Sequence, residues 1–273
     1  FLMIIYASED PGAIIYIKKF LNNSKYQIKE IKKISSIRKI NKKIEFVITG
    51  TALGDTLDKK LVKWAKKNQI LSISIIEHWT LFKRRFYLKD KLIYPDFIFV
   101  NDQFAKKLAI IDGLPSNKIF ISGNEHLKNI IENRNKNRNK IKKNNNILFI
   151  SEPMKESHSN IILSKFGYDE FKTLDLIIKN KPNNSNITVK LHPKEKIKKY
   201  SKYFNIVKFL KSKNLDYIIN NYYTIIGMTS MLLIELGICR NDIISMRLNS
   251  KILFFGSKLG LTKNISNERQ LIN

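Results

Sequence analysis

Short apolar runs alternate with amphipathic, lysine-edged segments along the first half of the chain. The runs have the length and β-branched content of strands, and they cover residues 2–7, 45–49, 72–76, 96–100 and 119–122. Helical spacing of apolar residues follows at 13–21 and 103–111, and Asp55 is expected to cap a further helix that begins near Leu57. Strands that alternate with helices of this length predict a parallel sheet built from right-handed βαβ units.

The pattern stops at a stretch rich in Asn, Lys and Arg and then restarts. Strands are predicted at 147–150, 187–191, 216–219, 224–226 and 242–246, and helices at 171–179 and 230–236. We therefore expect an α/β protein with two Rossmann-like domains, residues 1–131 and 147–273, whose parallel sheets face a central cleft. A basic linker, residues 132–146, is expected to join them.

Composition narrows the class of protein. The 273 residues contain 50 Lys and Arg against 23 Asp and Glu, a formal charge of +27, and the excess is spread over both predicted domains. Such an even, lysine-dominated excess favours a compositional background over a nucleic-acid-binding surface, and leaves binding to an anionic membrane surface open. The single cysteine, Cys239, excludes a disulfide framework. No apolar run approaches the roughly 20 residues of a membrane span, and no signal or transit peptide is recognised. We expect a cytoplasmic location, with the inner face of the cell membrane as an alternative.

Polar and titratable residues follow the predicted strands of the first half. Open α/β sheets bind ligands at the carboxyl ends of their strands, so these positions are candidates for chemistry. Asp10, Glu77 and His78 are the predicted catalytic residues, because a carboxylate or an imidazole there could deprotonate a hydroxyl group. Asp10 also fits an ordinary Asp-Pro-Gly turn. Adjacent strand residues point to opposite faces, so Glu77 and His78 can share a site only if the strand has ended.

The strand ends of the second half suggest a site for phosphates. Gly227, Thr229 and Ser230 lie between a strand and a helix, where backbone N–H groups and hydroxyls can hold a phosphate or a pyrophosphate. Glu235 lies about one and a half turns into that helix and could bind ribose hydroxyls. The alternative is that Ser230 is only an N-cap and that Glu235 is a solvated residue. Two further residues at strand ends are predicted to belong to this nucleotide-binding site: Ser151 and His192.

Several motifs are absent from the sequence. It contains no G-x-x-x-x-G-K-[ST] loop and no G-x-G-x-x-G, which argues against a P-loop NTPase and the usual dinucleotide dehydrogenase. It also lacks H-E-x-x-H, G-x-S-x-G and Asp-x-Asp. We therefore expect neither a protein-bound metal nor a cofactor.

Three segments together resemble a known superfamily. Residues 188–195 contain the sequence Lys-Leu-His-Pro, residues 226–237 combine a small-residue loop with a Glu-containing helix, and residues 99–124 contain Gly-Leu-Pro-Ser-Asn-Lys-Ile followed by Gly-Asn. They are similar to segments of the GT-B glycosyltransferase and epimerase superfamily, in particular UDP-N-acetylglucosamine 2-epimerase-like proteins and the glycerophosphotransferases of teichoic acid synthesis. The resemblance implies that the helix after Gly227 holds the phosphates and ribose of a nucleotide. Two positions depart from the pattern: the first loop has only one glycine, Gly12, and Leu236 stands where alanine is usual.

Together these observations predict a metal-independent, glycosyltransferase-like enzyme of cell-surface polysaccharide synthesis. Its donor would be a UDP-, CMP- or CDP-linked sugar, and its acceptor a glycan or a lipid-linked molecule. One alternative is an epimerase or hydrolase that acts on the same nucleotide sugar without an acceptor. The other is a basic, non-catalytic module that binds nucleic acid or a membrane surface, with a steep dependence on salt.

Overall fold

The chain forms two compact units, residues 1–129 and 130–273. The computed structural model describes residues 2–134, 145–157, 163–164, 166–211, 214–250 and 253–271. Each unit contains its own sheet of six strands, and every neighbouring pair in both sheets is parallel. Within these residues, no helix combines the length and the apolar character that crossing a membrane would require.

The first unit arranges its sheet in the order β2-β1-β3-β4-β7-β8. The strands are β1 Met3–Ala7, β2 Gln27–Glu30, β3 Ile44–Thr49, β4 Leu71–Ile76, β7 Phe97–Val100 and β8 Ile119–Ile121. A short antiparallel hairpin consists of β5 Tyr87–Leu88 and β6 Lys91–Leu92. The helices are α1 Pro11–Leu21, α2 Leu57–Lys67, α3 Gln103–Ile111 and α4 Glu125–Asn133. The strand order reverses between β1 and β3, which is where open sheets of this kind bind ligands.

Strand β1 lies between β2 and β3 in the sheet of the first unit, and all five of its residues are buried. Its alternate side chains supply two cores. Ile5 packs with Leu61 of α2 on one face, and Ile4 packs with Ile17 of α1 on the other. Each fully buried aliphatic side chain of this kind contributes about 1.5–3 kcal/mol. The two cores hold the carboxyl end of β1 firmly against its neighbours.

The second unit has the strand order β11-β10-β9-β12-β13-β14. Its strands are β9 Asn146–Ile150, β10 Asn186–Lys190, β11 Lys208–Leu210, β12 Thr224–Gly227, β13 Ile243–Met246 and β14 Lys263–Ile265. Its helices are α5 Met154–Ser157, α6 Glu170–Asn180, α7 Leu215–Asn221, α8 Met231–Cys239 and α9 Phe255–Lys258. In order of appearance this is the 3-2-1-4-5-6 arrangement of dinucleotide-binding domains, whose strand order reverses between β9 and β12.

The predicted α/β class with two parallel sheets is confirmed, and two local predictions are wrong. Residues 216–219 lie in helix α7 instead of a strand, because Asn214 accepts a hydrogen bond from the Tyr217 amide and starts a helix there. Asp55 does not cap α2, since Thr56 is the N-cap and Asp55 instead accepts a hydrogen bond from the Lys89 amide.

Other predictions about the domain organisation are neither confirmed nor contradicted by the structure. The predicted linker overlaps the end of α4, and its residues 135–144 lie outside the described residues. The division into 1–131 and 147–273 and the central cleft stay predictions. Strands β2, β11 and β14 carry too few buried apolar residues to be recognised in the sequence.

Candidate functional site

The three residues predicted as catalytic lie together in the first unit. The Nε2 atom of His78 is 3.7 Å from an oxygen of Asp10 and 3.6 Å from an oxygen of Glu77. Strand β4 ends at Ile76, so Glu77 and His78 both lie beyond the pleated strand and can turn to one side. The cluster therefore occupies the carboxyl ends of β1 and β4, on either side of β3.

Asp10 is held in place by the turn that joins β1 to α1. It is the N-cap of α1, where its Oδ1 accepts a hydrogen bond of 3.0 Å from the Gly12 amide. The amide of Asp10 donates to the hydroxyl of Ser8 at 3.0 Å, and the amide of Glu9 donates to Asp58 at 3.3 Å. These bonds leave the second carboxylate oxygen of Asp10 directed at His78.

Glycine at position 50 allows this turn to approach β3. A Cβ atom at Gly50 would lie 2.2 Å from the hydroxyl oxygen of Ser8 and 2.8 Å from the Cβ of Ala13. No side chain fits there without displacing the turn.

The segment that carries Glu77 and His78 is fixed by neighbouring polar groups. The side-chain amide of Asn101 donates a hydrogen bond of 2.7 Å to the carbonyl of Glu77. The indole N–H of Trp79 donates to Asp102 at 2.8 Å. Asn101 and Asp102 follow β7, the neighbour of β4 in the sheet. The carboxyl end of β7 therefore orients the segment that carries Glu77 and His78.

Arg85 completes the cluster, and sequence reasoning missed it. It is 5% exposed and donates hydrogen bonds of 3.1 Å to the carbonyls of Thr51 and Thr80. Its charge acts on Asp10, Glu77 and His78. The only local signal is the basic run at residues 83–85, which is indistinguishable from the other lysine-rich stretches of this chain.

The environment shifts the protonation equilibria of the cluster. Burial alone would raise the pKa of Asp10, but His78, the Gly12 amide and Arg85 together lower it to about 2. Burial, with the charge of Arg85, lowers the pKa of His78 below 6.5, although Asp10 opposes the shift. Burial also lowers the pKa of Arg85 to about 10. At neutral pH the cluster thus contains an ionised Asp10, a neutral imidazole and a positively charged guanidinium.

Asp10, Glu77 and His78 carry the carboxylate and imidazole atoms that bind metal ions in proteins. One ligand atom from each of Asp10, Glu77 and His78 lies within 4.8 Å of the others. A divalent cation could be held by two carboxylates and an imidazole. The buried positive charge of Arg85 would oppose such an ion, so a metal-free site stays our prediction.

In the second unit, the predicted donor-binding residues lie along the carboxyl ends of three adjacent strands. Strand β9 pairs with β10 on one side and with β12 on the other. His192 follows β10, Ser151 and Glu152 follow β9, and Thr229 and Ser230 follow β12. This row spans the point at which the strand order reverses.

Glu152 binds directly to the start of helix α8. One carboxylate oxygen accepts a hydrogen bond of 2.6 Å from the Thr229 amide, and the other accepts one of 2.6 Å from the Thr229 hydroxyl. Burial raises the pKa of Glu152, although Thr229 and the Ser230 amide oppose this shift. Sequence reasoning could not find this contact, because it joins residues 77 positions apart.

Two positions shape helix α8 itself. Ser230 is its N-cap, with Oγ accepting a hydrogen bond of 3.3 Å from the Leu232 amide. A Cβ atom at Gly227 would lie 3.1 Å from the side chain of Leu233 and 3.2 Å from the carbonyl of Ile150, so a small residue is favoured where β12 leads into the helix. Glu235 lies within electrostatic range of Lys190, the last residue of β10.

Ser151 and His192 are connected through Glu195. Ser151 is 1% exposed, and its hydroxyl donates a hydrogen bond of 3.0 Å to Glu195 and also bonds to Tyr200. The amide of His192 donates to the other oxygen of Glu195 at 2.7 Å. Ser151 is therefore almost inaccessible to a ligand, and its hydroxyl holds the carboxylate of Glu195.

His192 has a defined proton arrangement. Its Nδ1 accepts a hydrogen bond of 3.1 Å from the Lys194 amide. In the neutral ring the hydrogen is therefore on Nε2. His192 can offer that N–H to an anionic ligand while the loop after β10 holds the ring in place.

Comparison with solved structures identifies the fold. The UDP-N-acetylglucosamine (UDP-GlcNAc) 2-epimerase of Methanocaldococcus jannaschii, in complex with UDP-GlcNAc and UDP, matches with a TM-score of 0.60 and 15% identity, over 100% of this chain and 91% of that chain. The fold is that of UDP-GlcNAc 2-epimerases. The predicted resemblance to UDP-N-acetylglucosamine 2-epimerase-like proteins is confirmed for the fold.

Other solved structures agree with this assignment. The UDP-GlcNAc 2-epimerase of Neisseria meningitidis, bound to UDP-GlcNAc, matches with a TM-score of 0.59 and 13% identity, over 100% of this chain and 90% of that chain. HepE of Anabaena, in complex with UDP-glucose, matches with a TM-score of 0.55 and 10% identity, over 99% and 88%. Neither a protein-family model nor a curated protein sequence matches this chain.

Proposed function

We propose that this chain is an enzyme that acts on a nucleotide-activated sugar. The observation that carries the proposal is the cluster of Asp10, Glu77, His78 and Arg85, which places a neutral imidazole beside an ionised carboxylate at a ligand-binding edge. The fold is shared with proteins whose structures contain UDP-GlcNAc, UDP-glucose or UDP. That likeness supports the choice of substrate class.

Epimerisation or hydrolysis of the nucleotide sugar, with no acceptor, is the first candidate reaction, because several neighbours are UDP-GlcNAc 2-epimerases. Either reaction needs a base, to remove a proton from a sugar carbon or from water. His78 would accept the proton, and the carboxylates of Asp10 and Glu77 would stabilise the imidazolium that forms. Against the effect of burial, His78, the Gly12 amide and, to a smaller extent, Arg85 lower the pKa of Asp10 and keep it ionised at neutral pH.

The second unit would hold the nucleotide. The hydroxyl of Ser230 and the Nε2–H of His192 would donate to phosphate oxygens, and Glu235 would accept hydrogen bonds from the ribose hydroxyls. These groups offset the negative charge that develops on the leaving nucleotide. The reaction needs no metal in this scheme.

Glycosyl transfer is the second candidate reaction. The pairing of His78 with Asp10 is also suited to deprotonating an acceptor hydroxyl, on a glycan or a lipid-linked molecule. The charge of +27 would favour residence at the inner face of an anionic membrane, where a lipid-linked acceptor of polysaccharide synthesis would be available. A basic, non-catalytic module is a weaker alternative, because it would not require the clustered titratable residues.

A nucleotide-binding measurement tests the proposal. We expect thermal stabilisation of the wild-type protein by at least one pyrimidine nucleotide, and loss of that stabilisation in Glu235→Ala. Glu268→Ala, which changes an exposed glutamate of the same unit, is the matched control and is expected to respond like the wild type. Absence of any response to a complete nucleotide panel would overturn the proposal.

Incubation with a nucleotide sugar alone separates the two reactions. Release of nucleotide or appearance of an epimer without an acceptor supports the first candidate. Release that requires an added acceptor supports the second. In either case His78→Gln is expected to retain nucleotide binding and lose turnover.

A further inference from the structure

The turn after strand β10 is closed by two hydrogen bonds between His192 and Glu195. The amide of Glu195 donates one of 2.9 Å to the carbonyl of His192, and the amide of His192 donates one of 2.7 Å to Oε2 of Glu195. Pro193 occupies the second position of the turn, where its fixed φ is favoured. In the same turn, the Lys194 amide donates to Nδ1 of His192 at 3.1 Å. The orientation of the imidazole therefore depends on the shape of this turn.

The other carboxylate oxygen of Glu195 anchors the turn to buried groups of the second unit. The side chain of Glu195 is itself fully buried. Its Oε1 accepts hydrogen bonds of 3.0 Å from the hydroxyl of Ser151, at the end of β9, and from the hydroxyl of Tyr200. It also lies 2.5 Å from Nζ of Lys199. A single carboxylate thus connects the turn after β10 with the end of the neighbouring strand.

The charge of Glu195 is balanced by Lys199. Nζ of Lys199 also lies 2.8 Å from Glu170 and 3.0 Å from Glu156. Burial would lower the pKa of Lys199, but hydrogen bonds to these three carboxylates raise it, so the group stays cationic. Removal of the charge at position 195 would leave Lys199 paired with two carboxylates, so we expect the unit to fold without that charge.

We infer that Glu195 is a positioning residue for His192: its carboxylate fixes the turn in which Nδ1 accepts from the Lys194 amide, so that the ring carries its hydrogen on Nε2 and donates it to a phosphate of the nucleotide. The inference rests on the proposed function, because it takes His192 as a group that binds the nucleotide. Since the side chain of Glu195 is buried, it would affect nucleotide binding only through His192.

A double-mutant cycle on nucleotide affinity tests this inference. Calorimetric titrations with UDP, CDP and CMP, at one pH and one salt concentration, compare the wild-type protein with His192→Ala, Glu195→Gln and the double variant. The glutamine has one acceptor oxygen, which we expect to face Lys199 and the two hydroxyls. Its NH2 group would then face the His192 amide and break that bond.

We expect Glu195→Gln to weaken binding of the tightest of these nucleotides about tenfold, the effect of losing one hydrogen bond to a charged group. The double variant is expected to bind within about twofold of His192→Ala, because Glu195 has no effect once the imidazole is absent. Losses that multiply in the double variant would overturn the inference and leave the proposed function standing.

Glu170→Gln is the matched control. Glu170 is equally buried and binds the same ammonium group, but it lies on α6 and accepts from the Lys155 amide instead of the His192 amide. The variant is expected to keep the wild-type affinity within about twofold. A loss equal to that of Glu195→Gln would show that loosening of the network is enough to weaken binding, and would overturn the inference.

A measurement on the wild-type protein decides the case in which Glu195→Gln does not fold. NMR at a pH where the His192 ring is neutral is expected to show its hydrogen on Nε2. The His192 amide is expected to exchange with solvent at least about 100-fold more slowly than in an unfolded peptide. A mixture of ring tautomers or a rapidly exchanging amide would overturn the inference. Failure of every nucleotide to bind would instead overturn the proposed function, and the inference with it.

Discussion

Replacement of Gly50 by alanine tests whether the cluster in the first unit depends on the position of its supporting turn. The new Cβ atom would lie 2.2 Å from the hydroxyl oxygen of Ser8, whereas ordinary contacts begin near 3.4 Å. The turn that carries Asp10 must therefore move by about 1 Å. Overpacking of this kind costs about 1–3 kcal/mol of folding free energy. A shift of about 1 Å in a catalytic group can lower the rate by roughly a hundredfold.

The assay combines urea unfolding with the kcat/KM of nucleotide release. Gly54→Ala is the matched control, because position 54 has a φ of +86° and no heavy atom within 4 Å of the added Cβ. It is expected to cost about 1–2 kcal/mol through backbone strain alone and to keep near wild-type kcat/KM. Equal losses of kcat/KM in the two variants, or an unchanged kcat/KM in Gly50→Ala, would refute the link between the turn and the chemistry.

Three further predictions concern charge and protonation. Activity needs neutral His78, so kcat/KM should fall as the pH drops through the lowered pKa of His78, below 6.5. Arg85→Met removes a charge that lowers this pKa, so it should move the fall in kcat/KM to higher pH. A pH–rate profile of both proteins checks this prediction. The pKa of Asp10 is about 2 in the folded state against 3.8 in the unfolded state. Its contribution to the free energy of unfolding is therefore full above pH 3.8 and is lost as the pH falls through 2. Acid denaturation of Asp10→Asn should lack this loss of stability. Arg240 is 4% exposed and donates hydrogen bonds to three carbonyl groups around the end of α7 and to Asp242. Arg240→Met should therefore lower the free energy of unfolding in urea by about 3 kcal/mol. A decrease below about 1 kcal/mol would contradict this prediction.

Prediction of the fold from the sequence succeeded where burial leaves a clear pattern. Strand β1 is buried on both faces and is an uninterrupted apolar run in the sequence. Strand β2 lies at the edge of the sheet with mostly exposed side chains, so its sequence Gln-Ile-Lys-Glu carries no such pattern. Helix α7 was mistaken for a strand, because its short apolar run fits either structure and the Asn214 cap decides between them.

Prediction of the site followed from one topological rule. Polar residues after parallel strands lie at one edge of the sheet, and this rule makes Asp10, Glu77 and His78 candidates. That all three lie together depends on strand β4 ending at Ile76, which the sequence does not show. Arg85 could not be found in this way, because it does not follow a strand of the sheet and its contact with Thr51 joins residues distant in sequence. The rule reaches Glu152, which follows β9, but no local pattern marks its contact with Thr229.

The central claim is that a nucleotide-activated sugar reacts at the Asp10–His78 pair. The most direct measurement is nucleotide release from a panel of nucleotide sugars, with and without glycan acceptors, by the wild-type protein and by Asp10→Asn and His78→Gln. We predict turnover of at least one nucleotide sugar by the wild-type protein, and a loss of about 100-fold or more in both variants with nucleotide binding retained. Turnover that survives both substitutions, or its absence with every nucleotide sugar, would contradict the claim.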